Sequence, residues 1–339
     1  MNIYDISKKS GFSIATVSRV INGSTRVSAK TKNKVLQTMK ELGYTPNAFA
    51  RGLNLNTMKT IGIMCSSAAR PFFSSAIDYL ENGLRASGYN SVLCCTGFEL
   101  ENREQCLRLL LSKRVDAVMI VGSDYVTPQP EQMRYILDAA NTTPIVLINA
   151  YIEHPNIICI QNNDYASIYN TVRRLLAVGK RNVYYFYKSD SRSNNEKLRG
   201  YKTALRDFGN VKSHAILLKD ALDIPKTVES LLAMGRLDAD AVVTSVDFLA
   251  IGFLKYANKM GIRVPEDCNV IGYDNTFIAT CCEPELTCID SHVDTLCATA
   301  VQSLMQLLES GNAPKSITIN GDLVIRGTTN IDFSGYQLS

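Results

Sequence analysis

No apolar run approaching the ~18 residues of a membrane-spanning helix occurs in this 339-residue chain. The N-terminal stretch MNIYDISKKSGF has neither a long apolar segment after a basic start nor a small-residue cleavage site, so no secretory signal is expected. Ten cysteines contain no CxxC pair. They lie in or beside apolar runs, as Cys65, Cys94, Cys95, Cys106, Cys159 and Cys297 do, which fits reduced, small apolar residues in a cytoplasmic protein. Histidine is scarce, and His154, His214 and His292 stand outside any motif, which argues against His-based catalysis or a zinc site. No GxGxxG follows a strand, no GxxxxGK precedes Ser or Thr, and no GxSxG occurs; Gly179–Lys180 lacks the upstream glycine of a phosphate loop. Nucleotide and α/β-hydrolase chemistry therefore have no motif, and neither an enzyme nor a cofactor or metal is expected.

What is present begins with an uneven charge. Residues 1–60 carry ten lysines and arginines against Asp5 and Glu41, a balance of +8, while the remaining 279 residues sum to −4. A small basic head on a mildly acidic body is the footprint of nucleic-acid binding. A solvated lysine-rich helix would carry the same charge, so the pattern inside the segment decides. Ile3 and Ile6 fall on one face of a short helix ending near Ser10–Gly11. Ser13 suits the N-cap of a second helix, whose Val17, Val20 and Ile21 form an apolar stripe and which Gly23 stops. Ile14, Ala15, Ser18, Arg19 and Asn22 share the opposite face. An isoleucine beside Arg and Asn on an outer face makes sense if that face meets DNA: Ile14 and Ala15 against thymine methyls, Arg19 on guanine or phosphate. A third helix is capped by Ser28 and ended by Gly43, with Val35, Leu36, Met39 and Leu42 expected inward and Lys30, Lys32 and Lys34 outward. Together these make a helix-turn-helix headpiece.

The stretch from Ile3 to Leu53, with ATVSRVING, ELGYTPN and ARGL as its landmarks, resembles the headpiece of the lac repressor/galactose repressor family. The resemblance implies DNA contacts from Ser13, Ile14, Ala15, Thr16, Ser18, Arg19 and Asn22, and from Asn47, Arg51 and Leu53 in a following hinge helix. Thr45–Pro46 reads as an N-cap and first-turn pair, and NAFARGL is long enough for two turns only, marginal on its own. By the resemblance two such helices pair in the minor groove and Leu53 wedges a base step open, a kink that costs a few kcal/mol of unstacking.

From Ile61 onward, apolar runs at 61–66, 90–95, 116–122, 143–150, 157–161, 182–188, 214–218, 239–245, 268–274 and 286–291 read as strands. Amphipathic stretches lie between most of them, as at 72–87, 101–113, 165–178, 195–208, 247–260 and 294–309. Continuous apolar strands flanked by helices mean parallel, doubly wound α/β sheets, and some ten strands suggest two lobes. The tail SITINGDLVIRGTTN reads as two β segments around Asn320–Gly321. This matches the family body, which is similar to periplasmic sugar-binding proteins. The expected division is a headpiece at 1–45, a hinge helix and linker at 46–60, and a two-lobed effector and dimerisation body at 61–339. Lobe 1 takes about 61–161 and 291–320, lobe 2 about 162–290 and 321–339.

Ligands of open α/β sheets sit beyond the C-terminal strand ends, which places an effector site between the lobes. By resemblance its residues are Phe72, Phe73, Asn149, Lys197, Asp247 and Asp274, with Asp247 as well explained by favouring a helix N-terminus. The chain departs from the family at Ser66 and Ser67, where proline and aspartate are usual, at Arg70 in place of Asn, and at Asn163 in place of Asp. Lys197 replaces an arginine that often clamps the effector, and lysine has no planar fork. The family's catabolite-control branch also has lysine there, and its main co-regulator is a phosphorylated carrier protein. The expectation is a cytoplasmic homodimeric repressor of a carbohydrate-utilisation operon. It would bind a pseudo-palindromic double-stranded DNA operator and be released by a sugar or sugar phosphate. The alternative is a global or co-repressor-dependent regulator activated by a protein partner or another metabolite. A transporter's solute receptor would share the body but needs export and no basic head.

Overall fold

The computed structural model describes residues 2–22, 24–44, 57–209, 211–219 and 223–331, which form two compact units, Met1–Thr60 and Ile61–Ser339. In the first, α1 (Ile3–Ser10) starts at a capping box. The Asn2 side chain accepts from the Tyr4 and Asp5 amides, and the Asp5 carboxylate accepts from the Asn2 amide. Gly11 ends it at φ 75°, a left-handed turn that costs glycine nothing. The helices α2 (Ile14–Ile21) and α3 (Ala29–Glu41) begin at Ser13 and Ser28, each accepting an amide hydrogen bond three residues on. Ile6, Val17, Val20, Val35 and Met39 close the core. Leu36, expected inward, is exposed. The buried stripe runs through Val35, Thr38 and Met39, and Leu36 stands about 100° round the helix from Val35. Thr38 takes the inner position because its hydroxyl donates to the Lys34 carbonyl at 2.9 Å.

The second unit holds two six-stranded sheets. The first contains β1 (Thr60–Cys65), β2 (Asn90–Cys95), β3 (Ala117–Val121), β4 (Ile145–Ile148), β5 (Ile157–Asn162) and β11 (Ser316–Ile319), ordered β11-β5-β4-β3-β1-β2. The second contains β6 (Val183–Tyr187), β7 (His214–Leu217), β8 (Ala241–Thr244), β9 (Asn269–Asp274), β10 (Thr287–Asp290) and β12 (Asp322–Val324), ordered β12-β10-β9-β8-β6-β7. β1 with β3, β3 with β4, β4 with β5, β5 with β11, β6 with β7 and β8, β8 with β9 and β9 with β10 pair in parallel, and β10 pairs antiparallel with β12. Central strands such as β3, β4 and β8 are buried at every position, which is why they read as unbroken apolar runs.

The connecting helices are α4 (Pro71–Ala86), α5 (Leu100–Ser112), α6 (Arg134–Ala140), α7 (Asp164–Ala177), α8 (Arg192–Asp207), α9 (Ile224–Ala233), α10 (Asp247–Met260) and α11 (Val293–Ser310). The short α6 and α9 go beyond the six stretches named from periodicity. Two apolar clusters form around the first sheet, one built with α4 and α11, the other with α5 and α6. The second sheet likewise carries two, one with α9 and α10 and one with α7 and α8. The chain passes from the first sheet to the second after β5, returns through α11 to supply β11, and crosses again to supply β12.

Candidate DNA-reading helix and interlobe cleft

On α2 the outer face is open. Ser13, Ile14, Ala15, Arg19 and Asn22 are exposed, Ile14 to 41%, and Thr16 and Ser18 are half-buried. Ser13 already works as the cap: its hydroxyl accepts from the Thr16 amide at 3.2 Å and lies 3.0 Å from the Thr16 hydroxyl. The Asn22 amide donates to the Ser18 hydroxyl at 3.4 Å, so the two sit as one polar unit a turn apart. Arg19 makes no ion pair among the described residues. An apolar side chain, a methyl and a free guanidinium on one exposed helix face suit base edges in a major groove. Asn47, Arg51 and Leu53 lie outside the described residues.

In the body, Phe72, Phe73, Asn149, Lys197, Asp247 and Asp274 all line one cavity of about 70 Å³. Its walls come from segments that follow the C-terminal ends of β1, β3, β4, β6, β8 and β9, three strands from each sheet. The lobes also touch: the Ser123 hydroxyl donates to Ser191 at 3.1 Å, and the Arg192 guanidinium lies 5.0 Å from the Tyr151 ring centre.

The six residues differ in what they leave free. Phe73 is buried in the lobe core beside Gly122 and edge-on to Phe72 at 5.6 Å, so the surface for stacking on a ligand falls to half-buried Phe72. Asn149 holds a left-handed backbone at φ 59° immediately after β4. Asp274 ends β9 at φ 95°, where an L-residue is strained, as at many ligand sites. Burial raises its carboxyl above the ordinary value, and Lys197 and Lys188 oppose the shift.

Asp247 is the first residue of α10, and its carboxylate is taken up internally. One oxygen accepts from the Thr276 amide and hydroxyl, both at 2.8 Å, and the other from the Cys288 thiol at 3.1 Å. Burial and the nearby Asp274 nonetheless push its pKa up to about 7.

Lys197 is 3% exposed. Its ammonium donates to the Ser245 carbonyl at 3.2 Å, lies 3.6 Å from the Asp164 carboxylate and 3.4 Å from the Tyr273 ring centre. The Tyr273 hydroxyl in turn donates to the same Asp164 oxygen at 2.6 Å. Lysine thus replaces a planar clamp with a point charge already satisfied by the second lobe.

Other cavity residues went unnamed as site residues in the sequence. Asn194 lies three residues before Lys197 on α8, a helical spacing that puts both on one face, and Ser245 directly follows β8. The Asn194 side-chain carbonyl and the Ser245 hydroxyl are buried without a hydrogen-bond partner. Arg70 caps the lobe-1 wall with its guanidinium 4.5 Å from the Phe98 ring centre. Arg70, Lys188 and Lys197 stand against Asp124, Asp247 and Asp274, but burial favours the protonated forms of Asp247 and Asp274, so the lining carries a surplus of cations near neutral pH, of which Lys197 is already matched by Asp164.

A three-helix head with an open recognition helix, in a chain whose body is two doubly wound lobes around a polar cleft, defines a DNA-binding regulator with a periplasmic-binding-protein-like body. Residues 2–47 match the family model for bacterial regulatory proteins of the lacI family, and residues 172–329 the periplasmic binding protein-like domain. The chain is 48% identical over 339 residues to an HTH-type transcriptional regulator of Lachnoclostridium phytofermentans, covering 97% of this chain and all of that protein. It is 32% identical to the HTH-type transcriptional repressor PurR of Edwardsiella ictaluri, over 91% of this chain and 90% of the repressor. Its fold is similar to that of the lac repressor dimer bound to operator and the anti-inducer ONPF, with a TM-score of 0.84 at 25% identity, covering 97% of this chain and 99% of the other. The chain belongs to the LacI family of bacterial transcriptional regulators, DNA-binding proteins and not enzymes. No described helix is long and apolar enough to cross a membrane.

Proposed function

We propose that this regulator is a homodimeric repressor of carbohydrate-utilisation genes, acting in the cytoplasm and released by a neutral sugar held between the lobes. The observation that carries this reading is the cleft itself. Two buried polar atoms, on Asn194 and Ser245, await partners, and the half-buried Phe72 ring lines the same cavity. Hydroxyls, each donor and acceptor, suit these atoms, and the cations that a phosphate ester would need are partly engaged, Lys197 by Asp164 and Arg70 over the Phe98 ring. One headpiece reads too few base pairs for selectivity, so two copies on a pseudo-palindromic operator supply the rest. Ser13, Ile14, Ala15, Thr16, Ser18, Arg19 and Asn22 would touch the major groove, and Asn47, Arg51 and Leu53 the minor groove. A cavity of about 70 Å³ is well below the ~300 Å³ where small-molecule sites begin, so a ligand enters by parting the lobes. That movement would alter the pairing of the hinge helices.

A second reading is favoured by Lys197, which is spent on Asp164, Tyr273 and Ser245. There the regulator is activated by a protein co-regulator or another metabolite. One experiment separates the two. Operator binding of the full chain is measured by fluorescence anisotropy with and without neutral sugars, sugar phosphates and nucleobases. Release by a neutral sugar supports the first reading; tighter binding with another metabolite, or silence towards every small molecule, supports the second.

A further inference from the structure

Two thiols face each other at the C-terminal ends of the neighbouring strands β1 and β2. Cys65 closes β1 and is fully buried; Cys95 closes β2 and is exposed. They stand thirty residues apart along the chain, yet their sulfurs lie 3.9 Å from each other. Backbone bonds just beyond the pair hold the register. The Thr96 amide donates to the Cys65 carbonyl at 2.9 Å, and the Gly97 amide to the Ser66 carbonyl at 3.0 Å. Neighbouring strands lie ~4.7–4.9 Å apart, inside the ~4.4–6.8 Å between α-carbons that a disulfide spans. The pleat turns Cys94 to the other face of the sheet, where it packs in the cluster of α5 beside Cys106, while Cys65 belongs to the cluster of α4 and α11.

The two sulfurs are suited to different steps of one reaction. In thiol–disulfide exchange a thiolate within reach of solvent attacks first, and that position is held by Cys95. Burial and the neighbouring Cys95 push the Cys65 thiol up to about 12, so it stays protonated while its partner is free. Capping Cys95 removes the neighbour's share of that shift and leaves Cys65 to complete the exchange.

We propose that Cys65 and Cys95 form a reversible disulfide through which a low-molecular-weight disulfide weakens operator binding. The Cys95 thiolate attacks one sulfur of the small disulfide, forming a mixed disulfide and expelling one small thiolate. Cys65 then gives up its proton to solvent, and its sulfur attacks that of Cys95 and expels the second small thiolate. The two protein thiols lose two electrons, and the small disulfide is reduced to two thiols. In a reducing cytoplasm such bonds are transient and act as sensors.

The bond would reach the cleft by a short path. Arg70, which lines the interlobe cavity, follows Cys65 by five residues, and its guanidinium lies 4.5 Å from the ring centre of Phe98, three residues after Cys95. Drawing the sulfurs from 3.9 Å to the ~2.05 Å of a disulfide pulls both strand ends together and displaces that wall. The direction of the effect rests on the reading above, in which parting the lobes releases the operator.

The test uses the full-length chain in mixtures of oxidised and reduced glutathione. Oxidation is expected to give a product two hydrogens lighter, with Cys65 and Cys95 joined in its peptide map. Operator affinity, read by fluorescence anisotropy, falls about fivefold or more, the lower end of ordinary coupling between sites, and recovers with dithiothreitol. Cys95→Ser, a change at an exposed position, abolishes both the bond and the fall, and Cys94→Ala keeps both. No disulfide, a principal product joining Cys94 to Cys106 or two copies of the chain, or an operator affinity that does not fall with the Cys65–Cys95 bond formed overturns the proposal. Release of the operator from the reduced protein by neutral sugars is measured separately, so these outcomes leave that reading standing.

Discussion

Asp247 holds its proton to about pH 7, yet an unfolded chain releases it near 3.8. Between those values the folded state binds a proton that the unfolded state has lost. The contribution to stability is therefore fully present below about pH 4 and declines as pH rises towards 7. Asp247→Asn keeps the Thr276 hydrogen bonds without the titration. The stability advantage of wild type over this variant is expected to fall by on the order of 2–4 kcal/mol from about pH 4 to pH 7.5, read from urea unfolding of the body. A difference that is flat with pH, or that rises, contradicts the account. The contrast with Asp274 shows what single residues disclose. Both stood out in the sequence beside strand ends, but only the fold tells which carboxylate is spent on Thr276 and Cys288 and which keeps a strained backbone open to the cleft. Lys197 was legible as an oddity. Its partners were not, because Asp164 and Tyr273 lie 33 and 76 residues away along the chain and only the packing of α7, α8 and β9 joins them.

At the scale of elements, α7 and α8 approach so closely that a β-carbon on Gly200 would stand 2.4 Å from the Tyr165 carbonyl oxygen and 3.2 Å from the Tyr169 nitrogen. These are backbone atoms, so the helices themselves must separate. Alanine is the better helix former by about 1 kcal/mol, and a helix free of neighbours would gain by the change. Gly200→Ala is instead expected to destabilise the body by ~1–3 kcal/mol in denaturant unfolding, as overpacking does. It should also pull Lys197 from Asp164, since the two sit on the helices being parted. A neutral or stabilised variant would contradict the close approach. The strands were the most legible elements, since burial on both faces leaves an unbroken apolar run. Helical faces were less so. In α3 a threonine that satisfies its own hydroxyl competes for the inner stripe with a leucine, and hydrophobicity alone puts Leu36 inside. Asn194 and Ser245 escaped notice because a polar residue in a first helical turn or just past a strand is ordinary punctuation.

For the whole molecule, the +8 of residues 1–60 set against the −4 of the rest divides the work of DNA binding into two terms that respond differently. Phosphate contacts from the basic head act on any duplex and weaken steeply with salt, because each one releases condensed counterions. Intercalation by a paired hinge segment acts only where a base step can be opened, and requires two copies at once. By the reading proposed above Leu53 is that wedge, and Leu53→Ala removes it and no charge. Its operator affinity is expected to drop by about one to two orders of magnitude, the scale of losing an apolar wedge and the contacts that the bend allows. Affinity for random duplex and the slope of log affinity against log salt on that duplex should stay as they are. Anisotropy titrations of the full-length variant on both duplexes over a range of salt give all three quantities. Equal losses on operator and random DNA would mean that Leu53 supports the fold or the dimer instead of opening a base step, and the proposed link from lobe angle to operator release would then have to run through the headpieces alone.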